Sequence, residues 1–277
     1  MNIIQKVVTI SLVTLLLMFS QGVKANPQMS GLELAEKVAN RSSNKSKVGF
    51  MHFTMRNNSG SERKRSALVV HSQIPERTKI GIYFTEPAGL RDTSFLSHDN
   101  SNSQDQNWLY LPATDRVRKL PSSSRGDYFM GTDLSYGDIK DNFKFALEDW
   151  HFSLGESIVE NGKTYYLLKG VPQNEQIRAE IGYGSFTAKI DSDTWFPVHI
   201  RYTDTDNTPL KEVSVEGLDS IDGTWTATHF TIDNSQLQHQ TEIVISDMRA
   251  VSQMPSYLLT ADELAYGAPL MLLEDKS

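Results

Sequence analysis

The fold of this chain is decided by the segment MHFTMR (residues 51–56), in which apolar and polar side chains alternate. A period of two residues is typical of a β-strand with one buried face. The turn cluster NNSG (residues 57–60) follows at once, and residues 63–71 return as a second strand. The sequence therefore predicts an antiparallel hairpin whose apolar face contains Met51 and Phe53.

The same succession of strand, turn and strand continues outward from this hairpin along most of the chain. The dipeptides Asn161-Gly162 and Asp222-Gly223 favour two-residue hairpin turns, which need positive φ values. Spacings of roughly ten residues predict an antiparallel meander, within one β-rich domain that covers residues 26–277. The further predicted strands span residues 79–85, 93–97, 108–111, 116–120, 155–160, 164–170, 186–191, 197–203, 211–216, 225–234 and 240–251.

Two short helices are predicted near the ends of this β-rich region. Residues 26–40 open with Ser30 followed by Glu33, the spacing of a capping box, and continue with apolar residues at helical intervals. Residues 259–265 form the second predicted helix. The remainder of the regular structure is therefore expected to be β.

The N-terminus has the pattern of a secretory signal peptide. Lys6 precedes an uncharged apolar run over residues 7–19, and Val23-Lys24-Ala25 places small residues where a signal peptidase cleaves. The run is shorter than the span of about 20 residues that crosses a bilayer, although an uncleaved anchor is the alternative. We expect cleavage after Ala25 and a mature protein in the periplasm, which is not a lipoprotein because the chain has no cysteine.

Composition excludes several classes of function. Asp and Glu (34) outnumber Lys and Arg (27), and the formal charge of −7 argues against non-specific binding of nucleic acid. The absence of cysteine excludes disulfides and thiol nucleophiles. The seven histidines are scattered, and the motifs of zinc proteases, serine hydrolases and nucleotide-binding loops are missing. We therefore expect a protein that is not an enzyme and that uses no metal and no cofactor.

Residues 121–144, named the cover segment below, interrupt the succession of strands with the sequence PSSSRGDYFMGTDLSYGDIKDNFK. The segment is rich in Ser, Gly and Asp, yet it contains seven large apolar or aromatic residues. A purely solvated loop does not need such residues. We expect the cover segment to pack over another part of the molecule, with one or two short helical turns.

A family resemblance rests on the stretch WLYLP (residues 108–112) and on single residues after it, with the DSDTWFP hairpin (residues 191–197) in agreement. The single residues are Arg116, Arg118, Phe129, Gly131, Asp133, Leu134, Tyr136 and Asp138. In these positions the chain resembles the periplasmic outer-membrane lipoprotein-sorting proteins of the LolA/LolB-like superfamily. It resembles most the LolA-like branch that is associated with inner-membrane exporters of the RND or MMPL type.

The resemblance implies a mainly β fold, an incomplete antiparallel β-barrel (a half-barrel) with short helices and loops as a lid. It also implies a carrier of lipid or acylated protein cargo, which moves the cargo through the periplasm toward an outer-membrane acceptor. An RND/MMPL-type exporter is the implied inner-membrane partner. Two alternatives stay open: an accessory subunit of an envelope exporter that carries nothing, and a cell-envelope enzyme that uses Asp133 and Asp138 as a carboxylate pair.

Apolar stripes at strand spacing are the candidate lining of a cargo cavity, because Met and aromatic side chains adapt to irregular apolar ligands. An ordinary dry core is the alternative for each stripe. The candidate residues are Met51, Phe53, Met55, Ile82, Phe84, Trp108, Tyr110, Phe129, Met130 and Ile200.

Four charged residues are candidates for a gate or for a head-group site. Arg116 and Arg118 are two residues apart and share one face of a strand. Asp133 and Asp138 in the cover segment are their predicted partners. The arginines would either hold the lid through these carboxylates or bind a phosphate or carboxylate of the cargo in forked geometry, and a structural ion-pair cluster is the alternative.

Overall fold

The structure is a computed structural model that describes residues 29–41, 46–74, 77–100, 105–141 and 143–274. The predicted signal peptide and the first residues of the predicted helix 26–40 lie outside the described residues. Within the described part of the chain, no helix is long and apolar enough to span a bilayer. The interpretation of residues 26–277 as one domain stays a prediction.

Strands dominate the described residues, as predicted. They are β1 (Ser46–Asn57), β2 (Glu62–Ile74), β3 (Arg77–Glu86), β4 (Ser94–Asn100), β5 (Gln106–Leu111), β6 (Arg116–Leu120), β7 (Trp150–Leu154), β8 (Ile158–Glu160), β9 (Lys163–Pro172), β10 (Ser185–Asp191), β11 (Pro197–Thr203), β12 (Pro209–Ile221), β13 (Thr224–Asn234) and β14 (His239–Val251). The helices are α1 (Gly31–Ala39), α2 (Tyr136–Asp141) and α3 (Glu175–Ile181). Short 3-10 helices occur at Pro112–Thr114, Ser122–Ser124, Phe129–Gly131, Asp262–Tyr266 and Leu270–Leu273.

All fourteen strands join one antiparallel sheet in the order β6-β5-β4-β3-β2-β1-β14-β13-β12-β11-β10-β9-β7, and β8 pairs with β9 beside this path. Strands that are adjacent in the sheet are mostly consecutive in the chain, as in the predicted meander. The first strand instead pairs with the last, β1 with β14. Because β6 and β7 form the two ends of the order and do not pair with each other, the barrel is incomplete, as predicted.

The sheet curves around its inner face. One continuous cluster of buried apolar residues joins strands from both halves of the order, for example Ile82 of β3 and Ile190 of β10. Aromatic side chains of the cover segment contact both halves: between ring centroids, Phe129 lies 5.3 Å from Phe95 of β4, and Phe143 lies 4.9 Å from Phe230 of β13. This inner cluster therefore lies between the sheet and the segments that cross it.

The outer face of strands β1 to β5 is buried as well. Its apolar residues form a second cluster with the chain that follows β14, in which Leu258, Leu259 and Leu264 are buried. Tyr110 belongs to this outer cluster and Trp108 packs against it. The prediction that these two aromatic residues face the inner cavity is therefore corrected: a strand whose two faces are both covered does not reveal by alternation which face lies inside.

Helix α1 closes one end of the inner face. Ser30 caps it in the predicted capping box: the Glu33 amide donates to Ser30 Oγ at 3.1 Å, and the Ser30 amide donates to the Glu33 carboxylate at 2.6 Å. Leu34 and Val38 are fully buried in the inner cluster. A Cβ atom on Gly31 would lie 2.6 Å from the backbone of Ser153, so glycine is needed for this close contact with β7.

Two elements were not predicted, and the predicted helix over residues 259–265 is a 3-10 helix at Asp262–Tyr266. Strand β7 (Trp150–Leu154) was not predicted, although Trp150, Phe152 and Leu154 alternate with polar residues. Helix α3 was not predicted either, because seven residues are too few to show helical periodicity. Both ends of α3 have typical capping residues. The Asn174 side chain caps the first turn, and Gly182 ends the helix with a positive φ.

Candidate functional site

Two apolar cavities lie under the cover segment, against the inner face of the sheet. Their volumes are about 90 and 100 Å³. Residues that line the first cavity and not the second include Leu134, Phe145, Trp150, Tyr183, Ile200 and Val213. Distinctive apolar lining residues of the second are Val69, Ile80, Ile82, Phe196, Ala227 and Ile245. Both cavities are lined by Met51, Ile139, Phe143, Lys144 and Phe230, so the two adjoin.

Phe143 is part of the partition between the two cavities, since it is one of the five residues that line both. Its ring lies 4.9 Å from the ring of Phe230, edge to face, and 5.2 Å from the ring of Phe196. Its backbone has a φ of 60°, a conformation that aromatic residues rarely adopt. Contacts around the ring and backbone therefore hold Phe143 in an intrinsically unfavourable backbone conformation.

Arg41 binds the backbone of Phe143 and packs on the neighbouring ring of Phe196. Its Nη1 donates to the carbonyl oxygen of Phe143 at 3.0 Å and to that of Trp195 at 3.4 Å. The guanidinium also lies over the ring of Phe196, 4.4 Å from its centroid, in a cation–π contact. Burial lowers the pKa of Arg41, because removal of water disfavours the charged form.

Basic side chains gather at one side of the second cavity. Lys47 of β1 stands directly opposite His71 of β2 in the sheet, and Lys144 and Arg41 approach from outside the sheet. Burial lowers the pKa of Lys47 to about 8, although the carboxylate of Asp222 raises it. Burial, with the charges of Lys47 and Lys144, lowers the pKa of His71 to about 4. The second cavity thus combines apolar walls with a basic side.

The cover segment is tied to the sheet by two buried carboxylates. Asp133 Oδ2 lies 2.6 Å from His239 Nδ1 and accepts a hydrogen bond from Thr241 Oγ1 at 2.7 Å. Lys211 Nζ donates to the backbone carbonyl of Asp133 at 2.8 Å. Asp133 is fully buried, so these contacts with β12 and β14 are shielded from water.

Asp138 makes the second tie, to Lys211 and Tyr183. Lys211 Nζ lies 2.6 Å from Asp138 Oδ2, and the lysine side chain is only 1% exposed. The Tyr183 hydroxyl donates to the same carboxylate at 2.9 Å. Burial, and next the charge of Asp138, raise the pKa of Tyr183, so the phenol stays a donor at neutral pH.

The predicted partnership of the four charged candidates is therefore corrected. Asp133 and Asp138 do hold the cover segment, but through His239, Thr241, Tyr183 and Lys211. Arg116 and Arg118 lie exposed on β6, an edge strand of the sheet, and make no ion pair with another described residue. Arg125 of the cover segment instead forms a bidentate contact with Asp149 at the rim of the first cavity.

The predicted lining residues divide into three groups. Met51, Ile82 and Ile200 line a cavity. Phe53, Met55, Phe84 and Phe129 are buried in the inner cluster away from both cavities, and Met130 packs against that cluster. Trp108 and Tyr110 lie on the outer face, as described above.

Residues on the basic side of the second cavity were missed by the sequence analysis. His71 shares the inner face with Val69 by simple alternation along β2. His71 is the last residue of the predicted strand 63–71, and this alternation with Val69 could have placed it on the inner face. Lys47 and Arg41 flank a short connection between α1 and β1, and nothing in the sequence places them beside Lys144, about a hundred positions later.

An open antiparallel sheet that curves around an apolar interior, with a cover segment tied across its inner face, is a LolA-like fold. A protein-family model with the description "-like: Uncharacterized protein" matches residues 76–265. This match spans more than half of the chain, and the chain belongs to that family. The LolA-like fold that the resemblance of residues 108–138 implies is confirmed.

Solved structures share this fold. A structure described as an outer membrane lipoprotein-sorting protein domain from Vibrio parahaemolyticus has a TM-score of 0.77 at 23% identity, covering 85% of this chain and 98% of that one. A DUF1329 family protein from Desulfovibrio piger has a TM-score of 0.76 at 22% identity, covering 84% and 97%. A LolA superfamily protein from Nitrosomonas europaea has a TM-score of 0.65 at 18% identity, covering 85% and 99%. Comparison with curated proteins finds no match.

Proposed function

We propose that this protein is a periplasmic carrier that shelters the apolar part of a lipid or an acylated protein between its sheet and the cover segment. The carrier would pass this cargo toward the outer membrane. The observation that carries the proposal is the pair of adjoining apolar cavities, with Phe143 among the five residues that line both. The shared LolA-like fold supports the same class of function.

Displacement of Phe143 is the proposed route by which an acyl chain enters. Outward rotation of its ring would join the two cavities into one apolar channel along the inner face. Each methylene group moved from water into such a channel contributes about 0.8 kcal/mol, so a chain of about ten methylenes gains on the order of 8 kcal/mol before the entropy of immobilisation is subtracted. This gain exceeds the loss of a few aromatic contacts of Phe143.

Release requires that the cargo bind one arrangement of the cover segment better than the other. The ties of Asp133 and Asp138 hold the middle of the cover segment to the sheet, so the proposed movement is confined to the part around Phe143. An exporter of the RND/MMPL type and an outer-membrane acceptor are the proposed partners at the two ends of the transfer. Contact with the outer-membrane acceptor would favour the arrangement that releases the cargo.

An exporter subunit that carries no cargo is a second candidate function. It is favoured by the dense packing beside β3 and β4, where Phe129 lies between the rings of Phe84 and Phe95 and is fully buried. In that case the two cavities would be packing defects only. A carrier and a scaffold therefore differ in whether freshly purified protein contains an extractable apolar molecule.

The experiment combines native mass spectrometry of gently purified protein with displacement of a fluorescent fatty acid. Ala227→Leu places a larger side chain in the second cavity and so reduces the space for an acyl chain, and the carrier proposal expects at least tenfold weaker binding of the fatty acid. Ala113→Leu, on an exposed turn, is the matched control with unchanged binding. Absence of any extracted molecule, together with no saturable binding of the probe, would overturn the carrier proposal.

A further inference from the structure

The second cavity has a charge distribution that an ordinary core would avoid. Four basic side chains line it, namely those of Arg41, Lys47, His71 and Lys144, and none of its described lining residues is acidic. This concentration occurs in a chain whose formal charge is −7. Cations that lose water in an apolar site destabilise the folded state unless an anion compensates them.

The acidic residues near this cavity compensate the cations only in part. Asp222 raises the pKa of Lys47 and Asp99 raises that of Lys144, but in both lysines burial is the larger influence and lowers the pKa. Arg41 further lowers the pKa of Lys144 by charge repulsion. Neither carboxylate belongs to the cavity lining. A site remains in which the ammonium groups of Lys47 and Lys144 would stabilise an additional negative charge.

Hydrogen-bond donors face the same space. Lys47 Nζ donates to the neutral Thr226 hydroxyl at 2.9 Å, which leaves two of its three protons for another acceptor. Among the described residues, neither the His71 ring nor Lys144 Nζ has a hydrogen-bond partner. Because Lys47 and His71 are cross-strand neighbours, their donors approach one bound group from adjacent strands.

We propose that the second cavity binds the anionic head group of the cargo, a carboxylate or a phosphate, between Lys47, His71 and Lys144. This inference rests on the proposed carrier function and names its substrate class, an amphiphile with one negative head group. The acyl chain of that amphiphile runs past Phe143 toward the first cavity, whose described lining is mainly apolar.

The arrangement sets the orientation of the bound cargo. Phe143 and Lys144 are consecutive in the chain, so one movement of the cover segment displaces the partition and repositions a cation. Trp225, which is 42% exposed, lines the same cavity near Arg41, and both residues also line a surface groove beside it. The head group therefore lies nearest this opening, and the exposed arginines of β6 are not needed to bind it.

The test is isothermal titration of the full mature chain with three probes: laurate, dodecanol and inorganic phosphate. Laurate and dodecanol share a twelve-carbon chain and differ in the charge of the head group. The proposal expects laurate to bind at least tenfold more tightly than dodecanol, and phosphate alone to bind weakly. Equal affinities for laurate and dodecanol would overturn the head-group site and leave the carrier intact, whereas absence of binding by both would overturn the carrier too.

Variants locate the effect. Lys47→Gln with Lys144→Gln is expected to remove the preference for laurate and to leave the affinity for dodecanol unchanged within twofold. Lys119→Gln on the exposed strand β6 is the matched control and keeps the preference. A double variant that retains the tenfold preference would place the anion elsewhere, and tight binding of phosphate alone would assign the site to a free anion. Should the double variant fail to fold, the comparison of probes on the unaltered chain decides the question.

Discussion

The Asp133 carboxylate lies 2.6 Å from His239 Nδ1, although the two residues are 106 positions apart in the chain. This contact, with the neighbouring pair of Asp138 and Lys211, fastens the middle of the cover segment to strands β12 and β14. A lid that swings as a whole would have to break both buried contacts. The geometry instead favours a local opening around Phe143, whose aromatic ring lines both cavities.

The first prediction concerns the buried pair of Asp138 and Lys211. Asp138→Leu leaves the ammonium of Lys211, only 1% exposed, without its carboxylate, and we expect a loss of about 3–5 kcal/mol in the free energy of unfolding. The double variant Asp138→Leu with Lys211→Met removes both charges and should recover most of that loss. Urea-induced unfolding followed by tryptophan fluorescence measures both variants.

Arg118→Ala is the matched control for this pair, because an exposed side chain on an edge strand contributes within about 0.5 kcal/mol. Equal destabilisation in the single and double variants would contradict the interpretation that uncompensated charge is the cause. The loss would then come from packing alone.

The second prediction concerns the partition between the cavities. Phe143→Ala joins them, at a loss of about 3 kcal/mol in stability because the contacts with Phe196 and Phe230 disappear. The joined space should increase the affinity for palmitate more than the affinity for octanoate, which titration of the two acids measures.

Phe145→Ala provides the comparison for this prediction. Its ring stacks on Phe186 at 4.2 Å and lines the first cavity only, so its removal enlarges one cavity without joining the two. If Phe145→Ala raises the preference for palmitate as much as Phe143→Ala does, the partition has no special role.

Much of the sheet was predictable because a strand with one buried face shows its period directly. The alternation of residues 51–56 specified β1, and the bounds predicted for residues 116–120 and 197–203 are those observed. The assignment of faces was harder. Trp108 and Tyr110 pack against the C-terminal chain on the outer face, and a strand with two covered faces shows alternation without showing which side is inside.

The charged site could not be predicted, because its members meet only in the folded chain. The sequence predicts that Asp133 holds the cover segment. It does not predict the partner of Asp133, because His239 lies 106 positions later and belongs to no motif. The spacing of Arg116 and Arg118 predicts a shared strand face but not a carboxylate partner. The basic side of the second cavity depends on which strand ends face one another, as Lys47 and His71 do, and a linear pattern does not contain this register.

The third prediction concerns the N-terminus, which lies outside the described residues. Ala25→Arg places a large charged residue where signal peptidase requires a small one, and we expect an uncleaved precursor that stays with the inner membrane. Lys24→Ala, at the position between the two small residues, should be processed normally to a mature chain that begins at Asn26. Mass spectrometry of periplasmic and membrane fractions separates the two outcomes, and normal cleavage of the Ala25→Arg chain would contradict the predicted site.

The last prediction follows from the buried charge of Lys47. Its pKa is about 8 in the folded chain and 10.5 in the unfolded chain, so between these values the unfolded state binds more protons and stability rises with pH. From pH 8 to pH 9.5 this lysine alone should add about 1.5 kcal/mol to the free energy of unfolding. The neighbouring groups do not reverse the sign, because Lys144 shifts in the same direction and His71 is neutral throughout this range.

Urea unfolding at pH 8.0, 8.5, 9.0 and 9.5 tests this rise, with the upper limit chosen because tyrosines of the unfolded chain ionise near pH 10. Lys47→Met should be more stable than the unaltered chain at pH 8, and the difference should shrink by pH 9.5, because the variant has no buried charge to lose. Lys119→Met, which changes an exposed lysine, should keep the full slope. A slope that is unchanged in Lys47→Met would show that the cation beside the second cavity is not desolvated, and the reason to expect an anion there would disappear with it.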